Sequence, residues 1–372
     1  MREGWDIKTL GDVCEIYQPT TLSTKDLDEN GKYFVYGANG IIGKYSNYNH
    51  EDSEVILTCR GSTCGTINVS LPFSWINGNA MVVRPKGNTL LKEYLKYLLR
   101  GIDYSKVITG AAQPQITRVK LAPTIISFPK SITEQQRIVD ILDQEFSKIY
   151  ALKANAEKSL QAAKDLFQAT LKKELEPKEG WETQTIGEIC ILKSGNSNAN
   201  NSPSGSLPFV KVGDMNIAGN EVFITCSSRY VDYLSNKKGI FPVGSVIFPK
   251  RGGAILTNKK RLTAVETCCD LNIMGVFPKK DTITPDYLFA FFQGVDMASI
   301  YDGAAIPQIN NGDIAPLRIS FPDIQEQKQI TASLDDLNNK CKNLQNNYQK
   351  TLNLCDDLKQ VLLRKAFNGE LA

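Results

Sequence analysis

Pro322-Asp323…Glu326-Gln327-Lys328 sets two carboxylates and a lysine close together, the residue types of a metal-dependent nuclease centre. In such a centre the carboxylates project from neighbouring strands toward one ion. Here they open a strongly helical segment, where Asp323 and Glu326 suit capping of free amides at a helix start. Gly61-Ser62-Thr63-Cys64-Gly65-Thr66 has small residues like a phosphate loop but lacks its Gly-Lys-[Ser/Thr] ending. No glycine fingerprint links a strand to a helix for a dinucleotide or S-adenosylmethionine, and no Asn-Pro-Pro-aromatic sequence occurs. His50 is the only histidine, and the nine cysteines include no C-x-x-C pair. Cys59 and Cys64, and the adjacent Cys268 and Cys269, therefore read as reduced thiols and not as zinc ligands. Catalysis has no candidate group, and no metal site is expected. The chain reads as a binder.

Binding chemistry has better candidates. The formal net charge is only +3, too small for a protein that coats nucleic acid indiscriminately, but distribution matters more than the sum. The long helical stretches nearly balance, and the excess lies in the first globular part. In the second globular part, Lys250-Arg251 and Lys259-Lys260-Arg261 concentrate positive charge suited to phosphate contact. Charges stand at the N-terminus where a signal peptide needs apolar residues, and no apolar run approaches the ~18 residues of a membrane span. A soluble cytoplasmic protein is expected.

The elements that must position these residues occur twice. Gly4-Trp5-Asp6-Ile7-Lys8-Thr9-Leu10-Gly11-Asp12-Val13-Cys14 is echoed by Gly180-Trp181-Glu182-Thr183-Gln184-Thr185-Ile186-Gly187-Glu188-Ile189-Cys190. Gly110-Ala111-Ala112-Gln113-Pro114-Gln115-Ile116, running to Ser127-Phe128-Pro129, returns as Gly303-Ala304-Ala305-Ile306-Pro307-Gln308-Ile309, running to Ser320-Phe321-Pro322. Glu134-Gln135 and Glu326-Gln327 follow. The period is far beyond the roughly 20–50 residues of a solenoid unit, so a whole domain-plus-helix module is duplicated. Such a pair can share a pseudo-two-fold axis, the symmetry of duplex DNA with two half-sites.

Within the first module, Tyr33–Tyr36, Glu54–Thr58 and Ala80–Val83 read as strands, and Leu90–Leu99 as an amphipathic helix. Pro208–Val212 and Gly244–Phe248 read as strands of the second module. The Asn/Ser/Gly-rich tract Lys193–Ser206 reads as a flexible loop. Steps of three and four then run through Ile138, Leu142, Phe146, Ile149, Leu152, Ala156, Leu160, Ala163, Phe167, Leu171 and Leu175. They recur through Ile330, Leu334, Leu337, Cys341, Leu344, Tyr348, Leu352, Cys355, Leu358 and Leu362. Each seam carries about ten apolar side chains worth ~1.5–3 kcal/mol apiece on burial, so the two helices should pack on each other. The expected fold is α+β: two similar globular domains (1–131 and 178–322) separated by two long helices (132–177 and 323–372). Those helices should form an antiparallel coiled coil with pseudo-two-fold symmetry. Repeated residues set a frame; the unlike middles, Thr20–Thr109 and Lys193–Asp302, suit two different half-sites.

Tyr36-Gly37-Ala38-Asn39-Gly40-Ile41-Ile42-Gly43, Arg60-Gly61-Ser62, the Gly110–Ile116 turn and Ser131–Ile141 resemble the specificity (S) subunit of Type I restriction–modification enzymes. So do Pro208-Phe209-Val210-Lys211-Val212-Gly213-Asp214-Met215 and Ala366-Phe367-Asn368-Gly369-Glu370-Leu371. The resemblance covers essentially the whole chain in the same order. It implies a non-catalytic subunit with two target-recognition domains, each reading half of an asymmetric, interrupted site in double-stranded DNA. It also implies helices that set the gap and dock two modification (methyltransferase) subunits, which carry the S-adenosylmethionine that this chain does not bind. Restriction subunits would join to translocate and cut DNA. Expected DNA contacts are Tyr36, Asn39, Lys44, Arg60, Ser62, Gln113, Gln115 and Arg118 from the first domain. From the second they are Lys211, Lys250, Arg251, Lys259, Lys260, Arg261, Gln308 and Asn310. Arg and Lys favour guanine edges or phosphates, Asn and Gln adenine. Gln115 and Gln308 recur in domains expected to read different sequences, which also suits bracing a turn. Two alternatives stay open: the specificity subunit of another bipartite system with fused methylation and cleavage, and a coiled-coil scaffold without DNA.

Overall fold

The computed structural model describes residues 3–110, 112–196, 205–233, 239–301 and 307–371. Ala111, residues 197–204 of the polar tract and Gly303-Ala304-Ala305-Ile306 lie outside them. The chain folds as two compact units, Met1–Glu157 with Gln349–Ala372, and Lys158–Tyr348.

The first unit runs β1 (Trp5–Thr9), α1 (Leu10–Val13), β2 (Cys14–Tyr17), β3 (Tyr33–Gly37), β4 (Gly40–Tyr45), β5 (Val55–Thr58), β6 (Ile67–Val69), β7 (Trp75–Ile76), β8 (Ala80–Pro85), α2 (Lys92–Arg100), α3 (Arg118–Leu121) and β9 (Ile125–Pro129). It then enters α4 (Ile132–Glu174). β1 pairs antiparallel with β9. Four strands order as β2-β8-β5-β6, and a smaller sheet as β4-β3-β7 with β3 and β7 parallel. The period-two strands bury Val55, Leu57, Met81 and Val83 on one face, against Tyr94, Leu95 and Leu98 of α2.

The second unit takes up α4 and continues as β10 (Glu182–Thr185), α5 (Ile186–Ile189), β11 (Cys190–Ser194), β12 (Leu207–Val210), β13 (Phe223–Ile224), β14 (Tyr230–Val231), β15 (Ile240–Phe241), β16 (Val246–Pro249), β17 (Arg261–Thr263), β18 (Thr267–Cys269), β19 (Ile273–Pro278), α6 (Pro285–Gly294), α7 (Asn311–Ile314), β20 (Arg318–Phe321) and α8 (Ile324–Phe367). β10 pairs with β20, the main sheet orders as β11-β19-β16-β17-β13, and β12 runs parallel to β18. Duplication thus extends into the middles that diverge in sequence: β2-β8-β5-β6 is matched by β11-β19-β16-β17, and the parallel pair β3/β7 by β12/β18. Lys193 and Ser194, expected in a loop, instead end β11.

The shared edges follow from shared residues. Thr9 and Asp12, like Thr185 and Glu188, form a capping box over a one-turn helix. Gly11 and Gly187 sit where a Cβ would come 3.0 Å from Ala122 and 3.1 Å from Ala315, a tight contact that glycine avoids in both turns.

In the first unit α4 and α8 pack antiparallel. Arg137 Nη2 donates to the Leu371 carbonyl at 2.9 Å, and Lys153 Nζ lies 3.1 Å from Asp356 Oδ1. Ile138, Leu142, Phe146 and Ile149 are buried in one core with Cys355, Leu363 and Ala366. In the second unit Leu171 shares a core with Ile330 and Leu334. The expected seam is narrower than its spacing suggested. Leu152, Leu344 and Leu358 are exposed, while Ile149 and Ala156, one heptad apart, are buried. Along the middle Ala156, Ala163, Cys341 and Cys355 are the fully buried seam positions, and Leu160, Phe167, Tyr348 and Leu352 of the expected seam are half-buried beside them.

Gln135 and Gln327 join helix to domain. Both are fully buried. Gln135 Nε2 donates to the carbonyls of Thr89 (3.0 Å) and Pro129 (2.9 Å), and its Oε1 accepts from Leu91 N (2.8 Å). Gln327 repeats this with Thr282 O (3.0 Å), Pro322 O (2.9 Å) and Thr284 N (2.8 Å). Asp323 Oδ1 accepts from Gln325 N and Glu326 N, which makes it a helix cap. Removing either glutamine leaves buried backbone groups unpaired. Gln135→Ala and Gln327→Ala should each cost ~2–4 kcal/mol in urea unfolding, against almost nothing for exposed Gln136→Ala.

His50 is buried between Tyr17 and Asn49. Asn49 Oδ1 already accepts from Ile76 N, so His50 Nδ1 donates to it at 2.6 Å and Nε2 accepts from the Tyr17 hydroxyl at 2.9 Å. Burial, aided by Arg84 and opposed by Glu54, holds the imidazole below its ordinary pKa. The unfolded chain therefore takes up this proton first, and stability falls as pH drops below about 6.5. His50→Gln should flatten the dependence of melting temperature on pH between about 5 and 8; equal slopes would contradict the assignment.

Candidate nucleic-acid interface

In the first unit the chain leaves β5 and is caught by the Pro114-Gln115-Ile116 segment. Ile116 N donates to Cys59 O and Gly61 N to Pro114 O, both at 2.9 Å, which sets Arg60 directly opposite Gln115. Gln115 is also paired through both backbone groups with Thr109. The Thr58 hydroxyl donates to Ala38 O and pins the β3–β4 hairpin tip beside this bridge. Asn39, Arg60, Ser62, Gln113 and Gln115 are exposed, and these contacts bring their segments together.

The other three are placed differently. Tyr36 is 6% exposed, its hydroxyl accepting from Leu71 N at 3.1 Å, so it serves the core and not a surface. It packs in a small core with Ile56, Ile76 and Val82. Lys44 is exposed further along β4, 5.9 Å from the centroid of the Phe34 ring. Arg118 opens α3 and lines a cleft with Gly11, Glu15 and Lys86.

The second unit builds the same bridge. Gly252 N donates to Pro307 O at 2.7 Å and Ile309 N to Lys250 O at 2.9 Å, which sets Arg251 opposite Gln308. Here the side chains also connect. Arg251 Nε and Nη2 both donate to Gln308 Oε1 (3.2 and 2.9 Å), and Gln308 Nε2 donates to Asn310 Oδ1 (2.7 Å). Lys250 Nζ donates to Ser194 Oγ at 2.8 Å, and burial followed by the Arg251 charge lowers its pKa. Lys211, half-buried, precedes the single turn Val212–Asn216 that follows β12.

Lys259, Lys260 and Arg261 do not form a free patch. Lys260 is 6% exposed, and its ammonium donates to Asn258 Oδ1 and Val295 O, each at 2.6 Å. Burial lowers its pKa to about 8. The expectation of a DNA contact is corrected there: the charge locks a loop. Arg261 Nη1 and Nη2 are held by the carbonyls of Lys260 (2.8 Å) and Met215 (3.0 Å), and Lys259 donates to Asn216 Oδ1. All three line a cleft shared with Phe167 and Gln168 of α4 and with Asn338 and Lys342 of α8. Local charge density could not reveal these partners.

One correspondence escaped the sequence comparison. Arg60-Gly61 and Arg251-Gly252 are equivalent, each leaving a strand to meet Pro-Gln-Ile; the signal was a two-residue match inside unlike middles. Ser194, which holds Lys250, was also missed. Among the described residues no grouping of His, Cys, Asp or Glu could hold a metal ion, and no helix is long and apolar enough to cross a membrane.

The family model for the Type I restriction modification DNA specificity domain matches residues 2–162 and again 178–354, once per module. The chain belongs to this family. It is therefore a DNA specificity subunit, a non-catalytic part of a Type I restriction–modification enzyme. It is 22% identical to the Type I restriction enzyme EcoDI specificity subunit of Escherichia coli over 408 residues, covering 99% of this chain and 88% of that one. Its fold is similar to the HsdS subunit from Thermoanaerobacter tengcongensis (TM-score 0.60, 19% identity, covering 100% of this chain and 98% of that one). A chain solved in work on complex assembly and conformational transition of the type I R-M system is also similar (TM-score 0.80, 18% identity, covering 100% and 99%).

Lys260→Ala of this specificity subunit should lower its melting temperature, with a loss of ~1–3 kcal/mol. The salt dependence of DNA binding by the folded fraction should stay unchanged, as read by fluorescence anisotropy. A flattened salt slope would return Lys260 to the interface.

Proposed function

We propose that residues 1–131 and 178–322 are target-recognition domains, each reading one half of an asymmetric bipartite site in duplex DNA. The helical segments 132–177 and 323–372 set the gap and dock two methyltransferase subunits. S-adenosylmethionine is carried by those partners, restriction subunits complete the enzyme, and the assembly acts in the cytoplasm. The first domain meets DNA through Asn39, Lys44, Arg60, Ser62, Gln113, Gln115 and Arg118. The second does so through Lys211, Lys250, Arg251, Lys259, Arg261, Gln308 and Asn310. Tyr36 and Lys260 are left to the interior.

One observation carries this reading: the same Arg–Gln bridge is built twice, each time among exposed polar side chains and each time beside unlike segments. A scaffold without DNA has no need of a repeated cationic bridge among exposed polar side chains. Mapping methylated adenines in cells that carry the complete system tests it. A single interrupted motif with two unlike halves is expected; a continuous palindrome, or no motif, would reject the reading.

A further inference from the structure

Two side chains of the second bridge have their acceptors engaged. Gln308 Oε1 accepts one N–H from Nε and one from Nη2 of Arg251, which fills the two lone pairs of an amide oxygen. Asn310 Oδ1 takes the Gln308 amide. Asp313 accepts from the Asn310 backbone N–H at 2.7 Å. What Arg251 and Gln308 still offer are N–H donors, and the Asn310 amide N–H groups lie beside them.

Adenine recognition by glutamine or asparagine needs a donor and an acceptor on the same amide. Gln308 has lost its acceptor to Arg251. A donor-only group under a positive charge instead fits an acceptor-only partner, either a phosphate oxygen or the O6/N7 edge of guanine. The duplication decides between them. Arg60 and Gln115 stand opposite in the same backbone bridge, both exposed. A base reader at a shared frame position would impose the same base on both half-sites, whereas a phosphate clamp imposes none.

We propose that Arg251–Gln308–Asn310, and Arg60–Gln115 at the equivalent position, clamp backbone phosphates of the DNA and set the register of each domain without reading sequence. This rests on the proposed DNA-reading role and deepens it. Discrimination then falls to segments that differ between the domains: the Ala38-Asn39 hairpin tip in the first and the turn after Lys211 in the second.

The test uses the full chain with its methyltransferase partners and two probes, one fixed duplex and one pool of duplexes randomised in sequence. Arg251→Ala and Arg60→Ala should each lower the slope of log affinity against log salt by about one, between roughly 50 and 200 mM. The motif enriched from the pool should be unchanged. Arg251→Lys should retain the slope, and Gln308→Leu should weaken binding a few-fold with the same motif. Unaltered melting temperatures establish that the exposed substitutions leave the fold intact. Loss of a required guanine from one half of the motif would overturn the clamp in favour of base reading, and an unchanged slope would overturn it outright. Wild-type protein that binds DNA but enriches no motif would sink the half-site reading, leaving the clamp to be judged on slope alone.

Discussion

A buried carboxamide fixes each domain to its helix, and the placement of every candidate contact depends on it. Gln135 and Gln327 lie in the first turns of α4 and α8, yet each bonds the residue just before a second helix, Leu91 or Thr284, and the proline that closes or follows a strand, Pro129 or Pro322. An amide with three fixed partners has one orientation. Rotating a domain about its helix would strip a buried N–H and two carbonyls of partners, at ~1–3 kcal/mol for each group. Hydrophobic contact alone resists such rotation weakly, because it is non-directional. The glutamine supplies direction.

From that anchor the sheet carries the interface outward. β9 and β20 return to pair with β1 and β10. The segments before them cross to meet Arg60 and Arg251. The bridge therefore inherits its position from the same elements that the glutamine holds. Economy follows: one frame, coded twice, can present two different surfaces. The first unit fills its variable positions with a tight hairpin, the second with a single turn after β12.

Much of this was legible in sequence because it was local or periodic. The three-four spacing announced both long helices within a few residues of their ends, and the repeated Gly-Trp and Ser-Phe-Pro blocks announced a shared frame, though not that they are strands paired with each other. Long-range partners were not legible. Arg251 and Gln308 are 57 residues apart and their pairing depends on sheet topology. Glu134-Gln135 and Glu326-Gln327 stood out as repeats, but the weight falls on the glutamines, whose partners on the far side lie 44 and 43 residues away. Lys260 shows the converse limit. A lysine in a charge cluster reads as surface until the carbonyl that accepts its hydrogen bond is known.

The proposed recognition domains, each built on its own copy of one frame, should read DNA independently. The most direct measurement is methylome mapping of a hybrid in which residues 20–109 are replaced by the corresponding segment of the EcoDI specificity subunit. One half of the methylated motif should change, while the other half and the gap between them persist. Simultaneous change in both halves, or in the gap, would contradict the account.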